Sequence, residues 1–249
     1  MAGVFGQRSY RARFEWGPSG AGEIAPGAAF VVVVDVLSFT TTLGVAAEHG
    51  IAVMPYPWRD DSAATVAGQH RAELAVGRTA AGPDEISLSP AALRRVASRR
   101  PVERLVLPSP NGSAVSARFA RTGTTVIGVS LRNARAASTW VRARLNGQPL
   151  AVVAAGERWP DGGLRPAIED LWGAGAFLDG FDGLSPEAET AVAAYRAVAG
   201  RLPEALAASS SGRELAAIGF AADVAVAGEA DVSEVVPVFG DGWFRGVMP

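Results

Sequence analysis

Apolar runs separated by short polar clusters recur along the chain, and this pattern predicts strands that alternate with helices. Strands are predicted at 31–34, 51–54, 105–107, 126–129 and 150–155, with helices at about 41–49, 62–73, 90–98, after 113 to about 120, up to 145 and from 169. Alternation of this kind is typical of α/β proteins with a mostly parallel sheet. We therefore predict an α/β fold with a central, mostly parallel (mixed) sheet, and one domain over residues 1–249.

The two ends of the chain carry weaker signals. Apolar and charged residues alternate over 10–16, which predicts a half-exposed first strand, and 17–26 is rich in glycine and predicts a loop. The segment 235–244 predicts a β-hairpin that turns at a Gly-Asp-Gly sequence. Proline lacks the amide hydrogen that a central strand uses, so Pro237 favours an edge position.

The strand-to-helix junction at Asp35 is the most informative site in the sequence. Four valines run directly into Asp35, and the hydroxyls of Ser38, Thr40 and Thr41 follow where a helix should begin. A carboxylate can hold a hard cation, and hydroxyls with free helix amides can hold an oxyanion. The junction predicts a metal-assisted phosphate or sulfonate site. In the alternative interpretation, Ser38 and Thr40 only cap the helix and Asp35 closes a turn.

Three further junctions have the same character. Asn111-Gly112-Ser113, Arg132-Asn133 and Glu157 each follow a predicted strand. Because parallel strands place their carboxyl ends at one edge of a sheet, we expect these residues to line one crevice with Asp35. A plain turn at Asn111 and a helix N-cap at Asn133 explain the two sequences equally well.

Adjacent acids, Glu169 and Asp170, open the last of these helices. The helix dipole stabilises carboxylates there whether or not they bind a ligand. With Asp35, however, they would provide the hard oxygen ligands that Mg²⁺ uses, and we predict that the three acids converge on one metal ion.

Composition excludes several kinds of chemistry. All 23 cationic residues are arginine, cysteine is absent and only two histidines occur, so a Walker A lysine, a Schiff base, a thiol nucleophile and Cys-ligated zinc are excluded. Net charge is −2 and the arginines are dispersed, so neither a nucleic acid nor a membrane is an expected partner. We expect a cytoplasmic protein with a small anionic phosphorylated substrate, and a homodimer is one assembly that the sequence allows.

Taken in order, these motifs resemble one known family. Asp35-Val36-Leu37 with Thr40-Thr41-Thr42, Pro110 to Ser113, Ser130 to Asn133, Ala155-Gly156-Glu157, Ile168 to Ala176 and Val235 to Val238 resemble the 2-phosphosulfolactate phosphatase (ComB) family. The resemblance implies a three-layer α/β/α fold. It also implies a Mg²⁺-dependent phosphatase that converts 2-phosphosulfolactate to sulfolactate and phosphate on the route to coenzyme M.

The resemblance and the junctions together suggest a role for each candidate residue. Asp35, Glu169 and Asp170 would hold the metal, with Asp35 and Asp170 also catalytic, and Glu157 would be the general base. Substrate binding would use Ser38, Thr40, Thr41, Arg78, Asn111, Gly112, Ser113, Arg132 and Asn133.

The chain departs from the family pattern beside Asp35. Relatives commonly carry Arg-Ala where this chain has Ser38-Phe39, so a cation is missing beside the expected anion site. This departure favours an alternative function, in which a catalytically altered relative binds a small anionic metabolite without hydrolysing it.

Overall fold

The computed structural model describes residues 3–57, 62–119 and 123–249. The strands are β1 (Ala12–Trp16), β2 (Phe30–Val34), β3 (Ala52–Tyr56), β4 (Glu73–Leu74), β5 (Arg104–Pro108), β6 (Thr125–Val129), β7 (Leu150–Ala154), β8 (Glu157–Arg158), β9 (Leu164–Arg165), β10 (Val236–Gly240) and β11 (Trp243–Val247). The α-helices are α1 (Gly17–Ile24), α2 (Phe39–Glu48), α3 (Ser62–His70), α4 (Pro90–Ala97), α5 (Gly112–Phe119), α6 (Ala134–Arg142), α7 (Ile168–Leu178), α8 (Pro186–Arg196), α9 (Leu202–Ala208), α10 (Ser210–Ala217) and α11 (Ala221–Ala227). Short 3₁₀ helices occupy Val4–Gly6 and Ala199–Arg201.

A mixed, mostly parallel sheet forms the centre of the molecule. Within the described residues it has nine strands in the order β1-β7-β2-β6-β10-β11-β3-β5-β4, and β8 and β9 form a separate hairpin. Strands β1, β7, β2 and β6 form one parallel block, and β3, β5 and β4 form another. The antiparallel hairpin β10–β11 joins the two blocks. The predicted sheet is confirmed.

Helices cover both faces of the sheet, which gives the three-layer α/β/α architecture. Strand β2 is buried along its whole length, as its run of apolar residues predicts. Its side chains alternate, so that Val32 and Val34 belong to the core that includes residues of α6 to α9, while Val31 and Val33 belong to the core that includes residues of α1, α2, α4 and α5. Burial on both faces explains why this strand carries no polar residue.

The glycine-rich segment 17–26 contains a helix, so the predicted loop is wrong. Pro18 stands in the first turn of α1, where its missing amide hydrogen costs nothing. Ala21 and Ile24, spaced three apart, are fully buried against the core. The glycine content of this segment obscured a helical pair of apolar positions.

The first strand is more buried than predicted, since Ala12 to Phe14 are buried while Glu15 and Trp16 are half-buried. Arg13, expected to face solvent, is only 5% exposed. Its guanidinium donates hydrogen bonds to the carbonyl oxygens of Ile24 at 3.0 Å and Pro26 at 3.2 Å, and its Nε donates to that of Tyr10 at 3.2 Å. The alternation predicted the strand correctly but not its burial, because distant carbonyls satisfy this cation.

The C-terminal hairpin is confirmed, but its predicted edge position is wrong. It turns at Asp241 and Gly242, both with positive φ, and lies in the interior of the sheet between β6 and β3. Pairing of β10 to β6 is limited to Val238 and Ile127. A proline at position 237 is compatible with this interior strand because so little of the ladder on that side has to form.

The two parallel blocks run in opposite senses along the sheet. Three antiparallel steps separate β6 from β3, so β5 is reversed relative to β2. Sheets twist by about 20–25° per strand, which accumulates to roughly 100–125° over the five steps from β2 to β5. The ends of β2 and β5 nevertheless meet, since the Gly112 amide donates to the Asp35 carboxylate at 2.9 Å.

Helix boundaries agree with the sequence at several points. Ser89 caps α4, its side chain accepting a hydrogen bond from the Ala92 amide at 3.1 Å. Strand β3 continues through Pro55 instead of ending there. The predicted end of α5 at Ala120 lies outside the described residues. In the described ranges, no helix combines the length and apolar character that a bilayer crossing requires.

Two helical glycines differ in the space around them. A Cβ added to Gly175 in α7 would lie 2.1 Å from the carbonyl oxygen of Ala191 in α8, whereas one added to Gly44 in α2 would meet nothing within 4 Å. Gly175 thus permits the close packing of α7 on α8.

We expect opposite effects of alanine at these two positions. Gly175→Ala should lower the free energy of unfolding by about 1–3 kcal/mol, because the helices must separate. Gly44→Ala, the matched control, should leave it unchanged or raise it by up to about 1 kcal/mol through helix propensity. Urea denaturation measures both, and equal effects would contradict the packing assigned to Gly175.

Candidate active site

Asp35 lies directly after β2 and joins the starts of two helices. Its side chain is 5% exposed. Oδ1 accepts a hydrogen bond from the Phe39 amide at 3.1 Å and Oδ2 accepts one from the Gly112 amide at 2.9 Å. The Thr40 hydroxyl donates to the Asp35 carbonyl and accepts from the Asp35 amide. Asp35 therefore does close a turn, and it also anchors α5.

Glycine is the only residue type that fits at position 112, beside Asp35. A Cβ at this position would lie 2.4 Å from the Phe39 ring and 2.7 Å from Asp35 Oδ2. The hydrogen bond between the Gly112 amide and Asp35 depends on this close approach.

Asp170 performs the same task on the other side of β2. It lies in the first turn of α7 and is 2% exposed. Oδ1 accepts from the Val36 amide at 2.7 Å and Oδ2 from the Gly156 amide at 2.9 Å. The carboxylate thus joins the segments that follow β2 and β7, and both of its oxygens have a partner.

Glu169 is less well satisfied than its neighbour. It is 2% exposed, and within the described residues its Oε2 is buried without a hydrogen-bond partner. Burial raises the pKa of Glu169, and the hydrogen bond from Ser211 and the charge of Arg165 oppose that rise. A buried oxygen in this condition is a candidate ligand for a cation or a proton.

The aspartates share one electrostatic problem. Burial, and then the charge of Glu157, raise the pKa of Asp35 to about 7, although the amide hydrogen bonds and Arg78 act to lower it. Burial and the charges of Asp35 and Glu169 raise the pKa of Asp170 well above its ordinary value. Desolvation therefore outweighs four amide hydrogen bonds, and the cluster favours either a proton or a bound cation.

Glu157 occupies the wall of an open cavity beside these acids. It begins β8 and is half-buried. Its Oε2 accepts hydrogen bonds from Asn111 Nδ2 at 2.9 Å and from the Arg158 amide at 3.3 Å. The cavity, of about 450 Å³, is also lined by Leu37, Arg78 and Arg165. Of the predicted crevice, hydrogen bonds thus connect Gly112 to Asp35 and Asn111 to Glu157, and Glu157 lines this cavity.

The other hydroxyls proposed for substrate binding are bonded within the protein. Ser38 Oγ accepts from Arg78 Nη2, Thr41 Oγ1 donates to the Val36 carbonyl at 2.7 Å and Ser113 Oγ donates to the Leu107 carbonyl at 3.3 Å. Ser38 makes no side-chain cap of α2. Among the residues predicted to bind the substrate, Arg78 lines the cavity directly.

Arg132 and Asn133 are committed elsewhere, which corrects the prediction that they share this crevice. Arg132 is 3% exposed and pairs with Glu48 and Glu229. Asn133 accepts from the Ser130 amide at 2.9 Å and donates to the carbonyls of Gly128 and Val235. It makes no side-chain N-cap either. Among the described contacts, neither side chain touches the acids around Asp35.

Comparison with known proteins identifies the family. A family model described as 2-phosphosulpholactate phosphatase matches residues 21–242, a range that contains every residue of the site.

The chain belongs to the 2-phosphosulpholactate phosphatase family. It is also similar to a protein of Thermus thermophilus named "Probable 2-phosphosulfolactate phosphatase". The two are 29% identical over 214 residues, which cover 84% of this chain and 86% of the relative. The resemblance inferred from six short motifs is confirmed, and the family is one of phosphatases.

Sequence reasoning missed three residues of this phosphatase family site. Arg165 lines the cavity from β9, Ser211 lines it from α10 and accepts a hydrogen bond from Arg165 at 3.1 Å, and Asp223 forms an ion pair with Arg78 at 3.3 Å. Nothing in the local sequence marks them, because each is brought to the site by contacts between elements that are distant along the chain.

The acids offer hard oxygen donors, but not in the number predicted. In the described parts of the chain, no group of three or more Asp, Glu, His or Cys side chains is arranged to hold one metal ion. The three-acid shell of Asp35, Glu169 and Asp170 is therefore not assembled. Mg²⁺ commonly uses only one or two carboxylates, with water and substrate oxygens completing its shell. Asp35 and Asp170, buried with raised pKa values, fit that smaller set.

The raised pKa of Asp35 should make stability depend on pH. The carboxyl titrates near 3.8 when unfolded and at about 7 when folded, so between these values the folded protein binds more protons. The contribution of Asp35 to the free energy of unfolding is thus full below about pH 4 and is lost as the pH rises toward 7. Urea denaturation of metal-free protein across this range measures the slope.

Asp35→Asn is the control for this effect, since its amide does not titrate. The variant is expected to be less stable overall, because its NH₂ group faces a backbone amide, but its stability should decline less steeply between pH 4 and 7. Parallel profiles for the two proteins would show that Asp35 keeps an ordinary pKa.

Proposed function

We propose that this chain is a Mg²⁺-dependent phosphatase that hydrolyses a small anionic organic phosphate. The substrate that the family indicates is 2-phosphosulfolactate, which would yield sulfolactate and phosphate. One observation carries the proposal. Two fixed, buried aspartates with raised pKa values lie beside a half-buried glutamate on the wall of an arginine-lined cavity.

Asp35 and Asp170 would hold the metal ion. Their Oδ atoms already accept hydrogen bonds from backbone amides, which fixes each carboxylate in orientation while other lone pairs remain available. A bound Mg²⁺ would neutralise the buried charge and polarise the phosphoryl group. A cation bound here would offset the free-energy cost of burying two negatively charged carboxylates.

Glu157 would act as the general base. Its carboxylate takes a proton from water as the water oxygen forms a bond to phosphorus, the ester P–O bond breaks, and the leaving alkoxide is protonated by solvent. Asn111 donates to Oε2 and so fixes the orientation of the base. The hydrogen bond from the Arg158 amide ends on the same oxygen.

One observation favours a second candidate function, binding of a small anionic metabolite without hydrolysis. The hydroxyls that follow Asp35 are all bonded within the protein, and Ser38 supplies no cation of its own to the helix start. Arg78 contacts Ser38 and supplies a positive charge there instead. Such a protein would bind phosphate esters and release none of their phosphate.

The first test concerns the metal. We expect EDTA-treated protein to release no phosphate from 2-phosphosulfolactate and Mg²⁺ to restore the activity. Mg²⁺ should also raise the melting temperature more at pH 8 than at pH 5, because carboxylates bind metal only when deprotonated. Full activity in excess EDTA would overturn the metal assignment.

Asp170→Asn separates the structural part of this site from its metal. It should lower the free energy of unfolding by about 1–3 kcal/mol, since one buried amide loses its acceptor. This is more than the helix dipole alone would give. The variant should also lose the stabilisation by Mg²⁺, and a melting temperature that still rises with Mg²⁺ as in wild type would remove Asp170 from the metal site.

The second test concerns the base. Glu157→Gln keeps an oxygen that can accept from Asn111 but cannot take a proton, so kcat should fall by about 100-fold or more with little change in melting temperature. Glu214→Gln is the matched control, because Glu214 is an exposed glutamate on the wall of the same cavity. Equal phosphate release by both variants would show that Glu157 is not the base.

A further inference from the structure

The small hairpin over the cavity carries two opposite charges at paired positions. Glu157 of β8 and Arg165 of β9 are direct partners in the antiparallel register. Side chains at such positions lie on the same face of the ribbon, with Cβ atoms about 4.5–5.5 Å apart. Both residues line the cavity of about 450 Å³.

These two residues do not form an ion pair with one another in the described chain, although their positions would allow it. Glu157 is bonded to Asn111 from the end of β5, and Arg165 Nη2 donates to Ser211 Oγ of α10 at 3.1 Å. Opposite charges on paired positions normally attract each other. Here Glu157 and Arg165 are hydrogen-bonded to different parts of the chain, and both side chains line the cavity.

The surroundings of Arg165 suit a bound anion. Its guanidinium is half-buried and faces the ring of Trp159 at 5.7 Å, which limits its rotation. Among the described ion pairs, none involves Arg165. A planar guanidinium with fixed orientation recognises carboxylate or sulfonate groups through paired hydrogen bonds.

We propose that Arg165 is a specificity-determining residue that binds the acid group on the organic part of the substrate, while the phosphoryl group lies near Glu157. The proposal rests on the phosphatase function proposed above and assigns one residue, Arg165, to the carboxylate or sulfonate that such a substrate carries near the ester carbon. The hairpin register sets the separation between the base and this anion subsite.

A purely structural role for Arg165 is the competing explanation. Ser211 also hydrogen-bonds Glu169, and the charge of Arg165 acts on that buried acid. If this were its whole role, loss of Arg165 would impair every phosphate ester equally. Selectivity between matched substrates separates the two explanations.

The test uses 2-phosphoglycerate and glycerol 2-phosphate, which differ in a carboxylate against a hydroxymethyl group. Hydrolysis gives kcat/KM, and calorimetry gives Kd, for both esters with wild type and Arg165→Gln. Wild type should prefer the acid ester by about 10-fold or more, as charge-assisted bidentate binding implies. Arg165→Gln should reduce this preference to about 2-fold or less, mainly through KM.

Arg158→Gln is the matched control. Arg158 lies on the same hairpin and also lines the cavity, but it pairs with Leu164 instead of facing Glu157, and its exposed side chain donates to the Gly162 carbonyl in the turn. It should keep the wild-type preference. If Arg165→Gln does not fold, Ser211→Ala serves as the second variant, since losing the bond that orients Arg165 should also lower the preference.

Each outcome bears on one claim. If Arg165→Gln weakens both esters equally, Arg165 supports the acid cluster and the proposal is wrong. If wild type hydrolyses neither these esters nor 2-phosphosulfolactate, the phosphatase function fails, and the ratio of Kd values still tests the subsite. If Arg165→Gln leaves the ratio of the Kd values of the two esters unchanged, the anion subsite at Arg165 is wrong.

Discussion

The hydrogen bonds from four backbone amides to the buried carboxylates of Asp35 and Asp170 determine how the loops of the site are held. Through them the segment after β2 is joined to the start of α5 on one side and to the segment after β7 on the other. Each amide would cost about 1–3 kcal/mol if it were buried without an acceptor. The two acids are therefore structural first, and any catalytic role uses groups that are already fixed.

The same arrangement of buried acids favours the binding of a cation at the site. Burial raises the pKa values of both carboxylates, and nearby acids add to the rise, Glu157 at Asp35 and Asp35 with Glu169 at Asp170. Amide hydrogen bonds oppose the rise at both aspartates, and the charge of Arg78 opposes it at Asp35. A divalent cation would relieve the repulsion among these acids, and a phosphate ester could complete its shell. Glu157 lies outside the buried cluster on a hairpin, where it lines the open cavity. The four acids thus differ in burial and hydrogen bonding. Asp35 and Asp170 are buried and fixed by backbone amides, Glu169 is buried with one oxygen that lacks a hydrogen-bond partner in the described residues, and Glu157 is accessible from the cavity.

Much of this architecture could be predicted from local sequence. The valine run before Asp35 specifies a strand buried on both faces, and the acids at 169 and 170 mark a helix start. The approach of the segment 111–113 to Asp35 was also expected, and Gly112 makes the contact, although the two halves of the sheet run in opposite senses. These signals succeed because each depends on neighbours in sequence or on the general geometry of open sheets.

The errors have a common physical origin in contacts made across long separations. Arginine commonly binds anions, but Glu48 and Glu229 neutralise Arg132. Both glutamates are far from Arg132 in the sequence, so the local sequence does not predict these ion pairs. Arg13 is buried for a similar reason, since carbonyls from another element satisfy it. Arg165 is the converse case, because only the β8–β9 register reveals that it faces the same cavity as Glu157.

The central claim, that Asp35 and Asp170 form a cation site beneath the cavity, is tested most directly by a crystal structure with Mn²⁺ and sulfate above pH 7. Mn²⁺ replaces Mg²⁺ and is located by its anomalous scattering. The account predicts a peak bound to oxygens of both carboxylates, with sulfate on the side of the cavity. Unchanged amide-bonded carboxylates with no peak between them, at saturating Mn²⁺, would contradict it and leave the two aspartates with a structural role alone.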